Sequence, residues 1–97
     1  MKVTTIKQYE NEYYVGCFHN GAAFGESESK IMNSVVSEMS VNAYDKFVVD
    51  INRYSSVPVP KYSECIFQDV NVHIVDDEHG YRHYNGYIKV IWQYKKG

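Results

Sequence analysis

The sequence lacks most of the features that assign a protein at sight. It has no run of about 18 apolar residues, so no transmembrane helix is expected. Met1-Lys2-Val3-Thr4-Thr5 leads into a polar alternation instead of the apolar core of a secretory signal, and a cytoplasmic chain is expected. No Lys/Arg cluster exceeds Lys95-Lys96, and ten basic residues face twelve acidic ones for a formal net charge of −2. Neutralising phosphates supplies much of a nucleic-acid binder's affinity, so nucleic acid is not an expected partner. Mimicry of DNA needs a dense field of one sign, and ten positive charges dilute this one.

Cysteine is scarce too. Cys17 and Cys65 are the only two, each among apolar neighbours (Val15 and Phe18; Ile66 and Phe67). A chain kept in a reducing compartment holds such thiols free and buried. A reactive thiolate needs an electropositive, partly exposed setting, which neither run offers. There is no Gly-x-Ser-x-Gly elbow, and Gly21 and Gly25 lack the Gly-Lys-Ser/Thr of a phosphate loop. Acids pair at Asp76-Asp77 and at Glu26 and Glu28. Neighbouring acids on an extended chain point to opposite sides, and acids at a helix start have a structural reason to be there. Neither an enzyme nor a cofactor is expected.

What is present is a chain of 97 residues, 44% hydrophobic and 15% aromatic. That suits one domain and is too apolar for a disordered tail. Val3 to Tyr9 and Glu12 to Phe18 have the β-branched and aromatic content of strands, with a turn expected at Glu10-Asn11-Glu12. Asn20-Gly21 suits a tight hairpin turn, with a short third strand over Ala22-Ala23-Phe24. Ser27 or Ser29 can cap a helix, with Glu26 and Glu28 at its positive end. Ile31, Met32, Val35, Val36 and Met39 form one helical stripe. Ala43, Phe47 and Ile51 extend it, giving a helix from about 28 to 53. The Phe47-Val48-Val49 cluster, Ser40 and Asn42 also allow a kinked pair, or a helix followed by a strand. Ser55 to Pro60 reads as a surface connection.

Alternation returns near the C-terminus. Val70, Val72 and Ile74 share a face opposite Asp69, Asn71 and His73. Ile88, Val90, Trp92 and Tyr94 alternate against Lys89 and Gln93. Residues 76–86 form either one long loop or an extra hairpin closed at Asn85-Gly86. The expected fold is a single α+β domain over residues 1–97. An antiparallel sheet comes from the N-terminal and C-terminal strands, covered on one face by a long or kinked central helix.

Two constellations bear on function. His73, Asp76, Asp77, His79 and His83 fall close together and have metal-ligand chemistry, but on no helical scaffold. Tyrosine is abundant, with ten residues. Tyr13 and Tyr14 are consecutive in a strand and point to opposite faces, so one lies outside a one-sided core. Tyr81, Tyr84 and Tyr87 flank Arg82 and His79, and tyrosine and arginine are enriched at interface hot spots. The leading expectation is a small protein-interaction module that contacts a protein partner through His79, Tyr81, Arg82, Tyr84 and Tyr87. It has the compositional look of a phage or mobile-element accessory protein that binds and inhibits a larger host protein. One alternative is a metal-binding protein or enzyme using His73, His79 and His83. Another is a homodimeric structural protein joined through sheet edges or helix faces.

Overall fold

A computed structural model describes residues 5–18, 25–53, 57–76 and 82–96. Strand β1 (Thr5–Phe18) is followed by helix α1 (Glu28–Ile51), a 3-10 turn (Tyr62–Glu64), strand β2 (Cys65–Asp76) and strand β3 (Arg82–Lys96). The strands form one antiparallel sheet in the order β1-β3-β2. The helix lies on one face, mainly over β1 and β3. This is the expected α+β arrangement. Asn20-Gly21 and Ala22 to Phe24 lie outside the described residues.

The helix is single and long. Ile31, Val35, Met39, Ala43, Phe47 and Ile51 are all buried, each four residues from the last. A strict four-residue row runs obliquely around a helix, which suits packing across a twisted sheet. The residues that could have broken it find partners in place. Ser40 Oγ donates to the Val36 carbonyl at 2.8 Å, and Asn42 Nδ2 donates to the Gly16 carbonyl at 3.3 Å. At the start Ser27 is the cap, its Oγ accepting from the Lys30 amide at 3.4 Å. The connection that follows is anchored at its end. Pro60 is fully buried, and its carbonyl accepts from Tyr44 Oη at 2.6 Å.

Three local expectations are corrected. Glu10-Asn11-Glu12 is not a turn, because β1 runs through it. Asn11 faces the helix and is satisfied there, donating to Asp50 Oδ2 at 3.2 Å. Asn85-Gly86 is not a turn either. It lies within β3, flanked in register by Gly16 and Val15 on one side and His73 and Val72 on the other. Glycine is needed at 86 for close approach, since a Cβ there would overlap the Asn71 carbonyl.

The third correction concerns β2, which does not alternate throughout. Its register shifts between Gln68 and Asn71, with Asp69 at φ 54°. This β-bulge exchanges the faces. Cys65 and Phe67 face the helix before it, Val72 and Ile74 after it, and Val70 falls within it. In β3 the expected alternation is observed, with Ile88, Val90 and Trp92 buried.

Candidate interaction surface

One helix covers one face of the sheet. The register fixes which residues stand on the other. Across the strands, that open face reads as rows: Phe18–His83–Val75, Gly16–Asn85–His73, Tyr14–Tyr87–Asn71, Glu12–Lys89–Gln68, and Glu10–Ile91–Ile66. Phe18, Tyr14, Tyr87, Val75 and Ile66 are each about half exposed. Single surface hydrophobics are ordinary; these five stand on one face, in three rows separated by polar ones.

The aromatic residues on this face touch one another. Tyr14 and Tyr87 meet edge to face at 5.1 Å between ring centroids, and Phe18 and His83 meet at 5.3 Å. Cross-strand pairing of this kind holds rings in fixed positions and reduces the rotamer entropy lost on binding. The charge of Lys89, near the centre of the face, is locally compensated. Lys89 Nζ lies 3.9 Å from Asp69 Oδ2 and opposes Glu12 in register.

The residues singled out in the sequence separate. Tyr87 stands at the centre of the open face. Tyr84 is on the opposite face, 2% exposed and part of the core, so it presents no contact surface. Its even-numbered position in β3 places it in line with Ile88, Val90 and Trp92. Arg82 lies at the end of β3 on the helix side. Its Nε donates to Asp76 Oδ1 at 2.7 Å and its Nη2 to Oδ2 at 3.4 Å. That bidentate pair raises the guanidinium pKa above its ordinary value, the hydrogen bonds to Asp76 being the main cause. His79 and Tyr81 lie outside the described residues.

Phe18, Tyr14, Val75 and Ile66 were missed as contact candidates. The available signal was apolar side chains at the outward positions of strands whose inward positions were already apolar.

The histidines do not assemble a metal centre among the described residues, where no three His, Cys, Asp or Glu side chains converge. His73 and His83 stand diagonally on the open face, while Asp76 is on the other side with Arg82. Cys17 opposes Tyr84, and Cys65 opposes Trp92. Eight residues of strand separate those levels, about 26 Å, far beyond disulfide reach. Both thiols are free and half-buried, less deeply placed than expected. Burial pushes each up to about 11, helped by Glu38 at Cys17 and Glu64 at Cys65.

A polar cleft lies between β1 and the end of α1. Asp50 Oδ2 accepts a short hydrogen bond from Tyr13 Oη as well as the one from Asn11. Arg53 Nη1 lies 3.7 Å from Asp50 Oδ1. Burial, reinforced by Asp50, holds the Tyr13 phenol protonated well above the usual tyrosine range. These groups are committed to one another, and a phenol so held is not a base at neutral pH.

No helix among the described residues is long and apolar enough to cross a membrane. The class defined by this geometry is a small α+β domain with a one-sided three-stranded sheet. Comparison with protein-family models, curated proteins and solved structures yields no match.

Proposed function

We propose that this chain is a non-enzymatic protein-interaction module whose contact surface is the open face of the sheet. The observation that carries the reading is the Tyr14–Tyr87 pair at 5.1 Å, half exposed at the centre of that face. Rigid tyrosines give broad contact area and one polar handle each at small entropic cost. Phe18, Val75, Ile66 and Ile91 extend the apolar area on both sides of the pair. Of the residues first singled out, Tyr87 belongs to this surface. Inhibition of a larger host protein is one consequence such a contact could have.

The test is affinity capture from a nuclease-treated lysate of the native host. It compares the unaltered chain with a Tyr14→Ala/Tyr87→Ala variant whose fold is checked by circular dichroism. The expected result is a stoichiometric protein, further copies of the chain included, retained by the first and lost by the second. Equal recovery by both would remove the open face from consideration.

A further inference from the structure

We propose that the occupant of the open face is a second copy of this chain. Two sheets pack face to face about a two-fold axis that lies in the interface plane, crosses the strands and passes through the Tyr14–Tyr87 row. This rests on the reading that the open face binds protein, and it names the partner.

The amount of exposed surface is the first argument. The chain exposes 6722 Å². A compact monomer of 11.3 kDa exposes about 5,700 Å², so the excess is on the order of 1,000 Å². The radius of gyration is 16.8 Å, against about 12.5 Å for a compact domain of this length. The molecule measures 61 × 23 × 17 Å, a thin two-layer slab with one layer uncovered.

Other modes of self-association are blocked or unfavoured. The outward carbonyls of edge strand β1 are already engaged at Tyr14, by Lys46 Nζ at 2.8 Å, and at Gly16, by Asn42. The Glu12 amide donates to Asn11 Oδ1 at 3.0 Å. Edge strand β2 carries the bulge at Asp69. Both are ways in which proteins prevent edge-to-edge pairing. The exposed side of α1 presents Asn33, Ser34, Ser37, Glu38, Asp45 and Lys46, with Val41 and Val49 as isolated apolar residues.

The rows of the open face are close to palindromic about Tyr14–Tyr87. Moving outward in either direction meets a polar row and then one with two apolar residues, Phe18 and Val75 on one side and Ile91 and Ile66 on the other. The proposed axis keeps each strand over its own copy, so it sets Val75 over Ile66, His83 over Ile91 and Phe18 over the Glu10 stem of the partner. It sets Glu12 over Gly16, which has no side chain to obstruct it, and Lys89 over Asn85. The two tyrosines lie nearest the axis and meet their own copies. Charge selects this axis over the alternative along the strands, which would stack Lys89 on Lys89 and Lys95 on Lys95. The matching rows span about 30 by 14 Å in projection. With side-chain relief the pair buries on the order of 1,000 Å², the small end of specific interfaces, so the dimer is reversible.

Sedimentation equilibrium of the full chain from about 1 to 200 µM tests this by mass action. The expected mass rises with concentration toward twice 11.3 kDa. Tyr87→Glu should weaken association by about 30-fold or more, as loss of a central anchor does, with an unchanged circular dichroism spectrum. A second variant does not depend on that loss. In a Cys17→Ser/Cys65→Ser background, Tyr87→Cys should cross-link to its own copy with a bis-maleimide spanning about 10 Å, the separation of packed sheets, whereas Gln93→Cys should not. A dimer in which Tyr87→Cys fails to cross-link, or one that survives Tyr87→Glu, overturns this arrangement. A monomer at every concentration overturns the second copy as occupant. In that case, loss of a different captured protein by Tyr14→Ala/Tyr87→Ala would leave the protein-binding reading standing, and equal capture would remove both.

Discussion

The backbone carbonyl of Asn71 lies against Gly86, in the space a side chain would need. The bulge in β2 creates this contact. The extra residue at Asp69 and Val70 carries the returning strand onto β3 at the level where β3 has no Cβ. Gly86→Ala therefore forces backbone against backbone, with no rotamer to relieve it. Its expected cost is about 3 kcal/mol or more, the upper range for overpacking. Gly16 is the control. A Cβ there meets the Asn85 side-chain oxygen, which can rotate away, and lies 3.3 Å from the Tyr84 carbonyl, a contact that a shift of a few tenths of an ångström relieves. Gly16→Ala should cost about 1 kcal/mol or less. Urea denaturation of the two variants decides between them.

That contact also marks where sequence reasoning stops. The helix stripe from Ile31 to Ile51 and the alternation from Ile88 to Tyr94 were legible, because burial on one side imposes a period on the residues themselves. The bulge was not. Asp69 and Val70 continue a plausible alternation, and only pairing with β3 shows that they count as one step. Asn85-Gly86 misled for a related reason. The dipeptide suits a turn, but the glycine serves a close approach contributed by a residue fifteen positions earlier. Glu10-Asn11-Glu12 looked like a turn because the partner of Asn11 is Asp50 on the helix, invisible to local composition. The site followed the same pattern. Tyr13 and Tyr14 were recognised as opposed, and which of them faces outward depended on where the helix lies.

The Tyr13–Asp50 hydrogen bond ties β1 to the last turn of α1. Tyr13→Phe keeps the edge-to-face contact with Phe47 at 6.5 Å and removes only the hydroxyl. Asp50 retains Asn11 and Arg53, so the expected loss is about 1 kcal/mol. Spectrophotometric titration at alkaline pH supplies a second readout. The wild type should hold back one late-ionising phenol that the variant lacks.

The two thiols make stability fall at alkaline pH. Their ordinary value is 9.0, and in the folded chain both are raised to about 11. Below 9 the folded and unfolded chains hold these protons alike, and the full contribution is present. Between 9 and 11 the unfolded chain loses protons that the folded chain keeps, so the contribution declines as pH rises. Tyr13 acts in the same direction. A Cys17→Ala/Cys65→Ala variant should therefore show a shallower fall in urea midpoint between pH 8.5 and 10.5 than the wild type. The same shift predicts slow alkylation of the folded protein by iodoacetamide at pH 8 and rapid alkylation in denaturant.

Arg82 and Tyr87 separate the contact surface expected from the sequence from the one proposed for the open face of the sheet. Both belong to the tyrosine–arginine set, but they stand on opposite faces of β3. The Arg82–Asp76 pair is solvent-exposed, with side-chain exposures of 35% and 59%. Exposed ion pairs are screened and contribute little to stability. Arg82 also hydrogen-bonds the buried Tyr84, and a buried hydroxyl that loses a hydrogen-bond partner costs about 1 kcal/mol. Arg82→Ala should lower the urea midpoint accordingly and leave the association constant within error of wild type. Tyr87→Ala leaves the core untouched, since the ring packs on Tyr14 outside it. It should nevertheless weaken association by about tenfold or more, as an anchor at the centre of an interface does. Sedimentation of the two variants at matched concentrations reads both effects. If Arg82→Ala dissociates the assembly and Tyr87→Ala does not, the contact lies at the β2–β3 end of the molecule and the open face is not the interface.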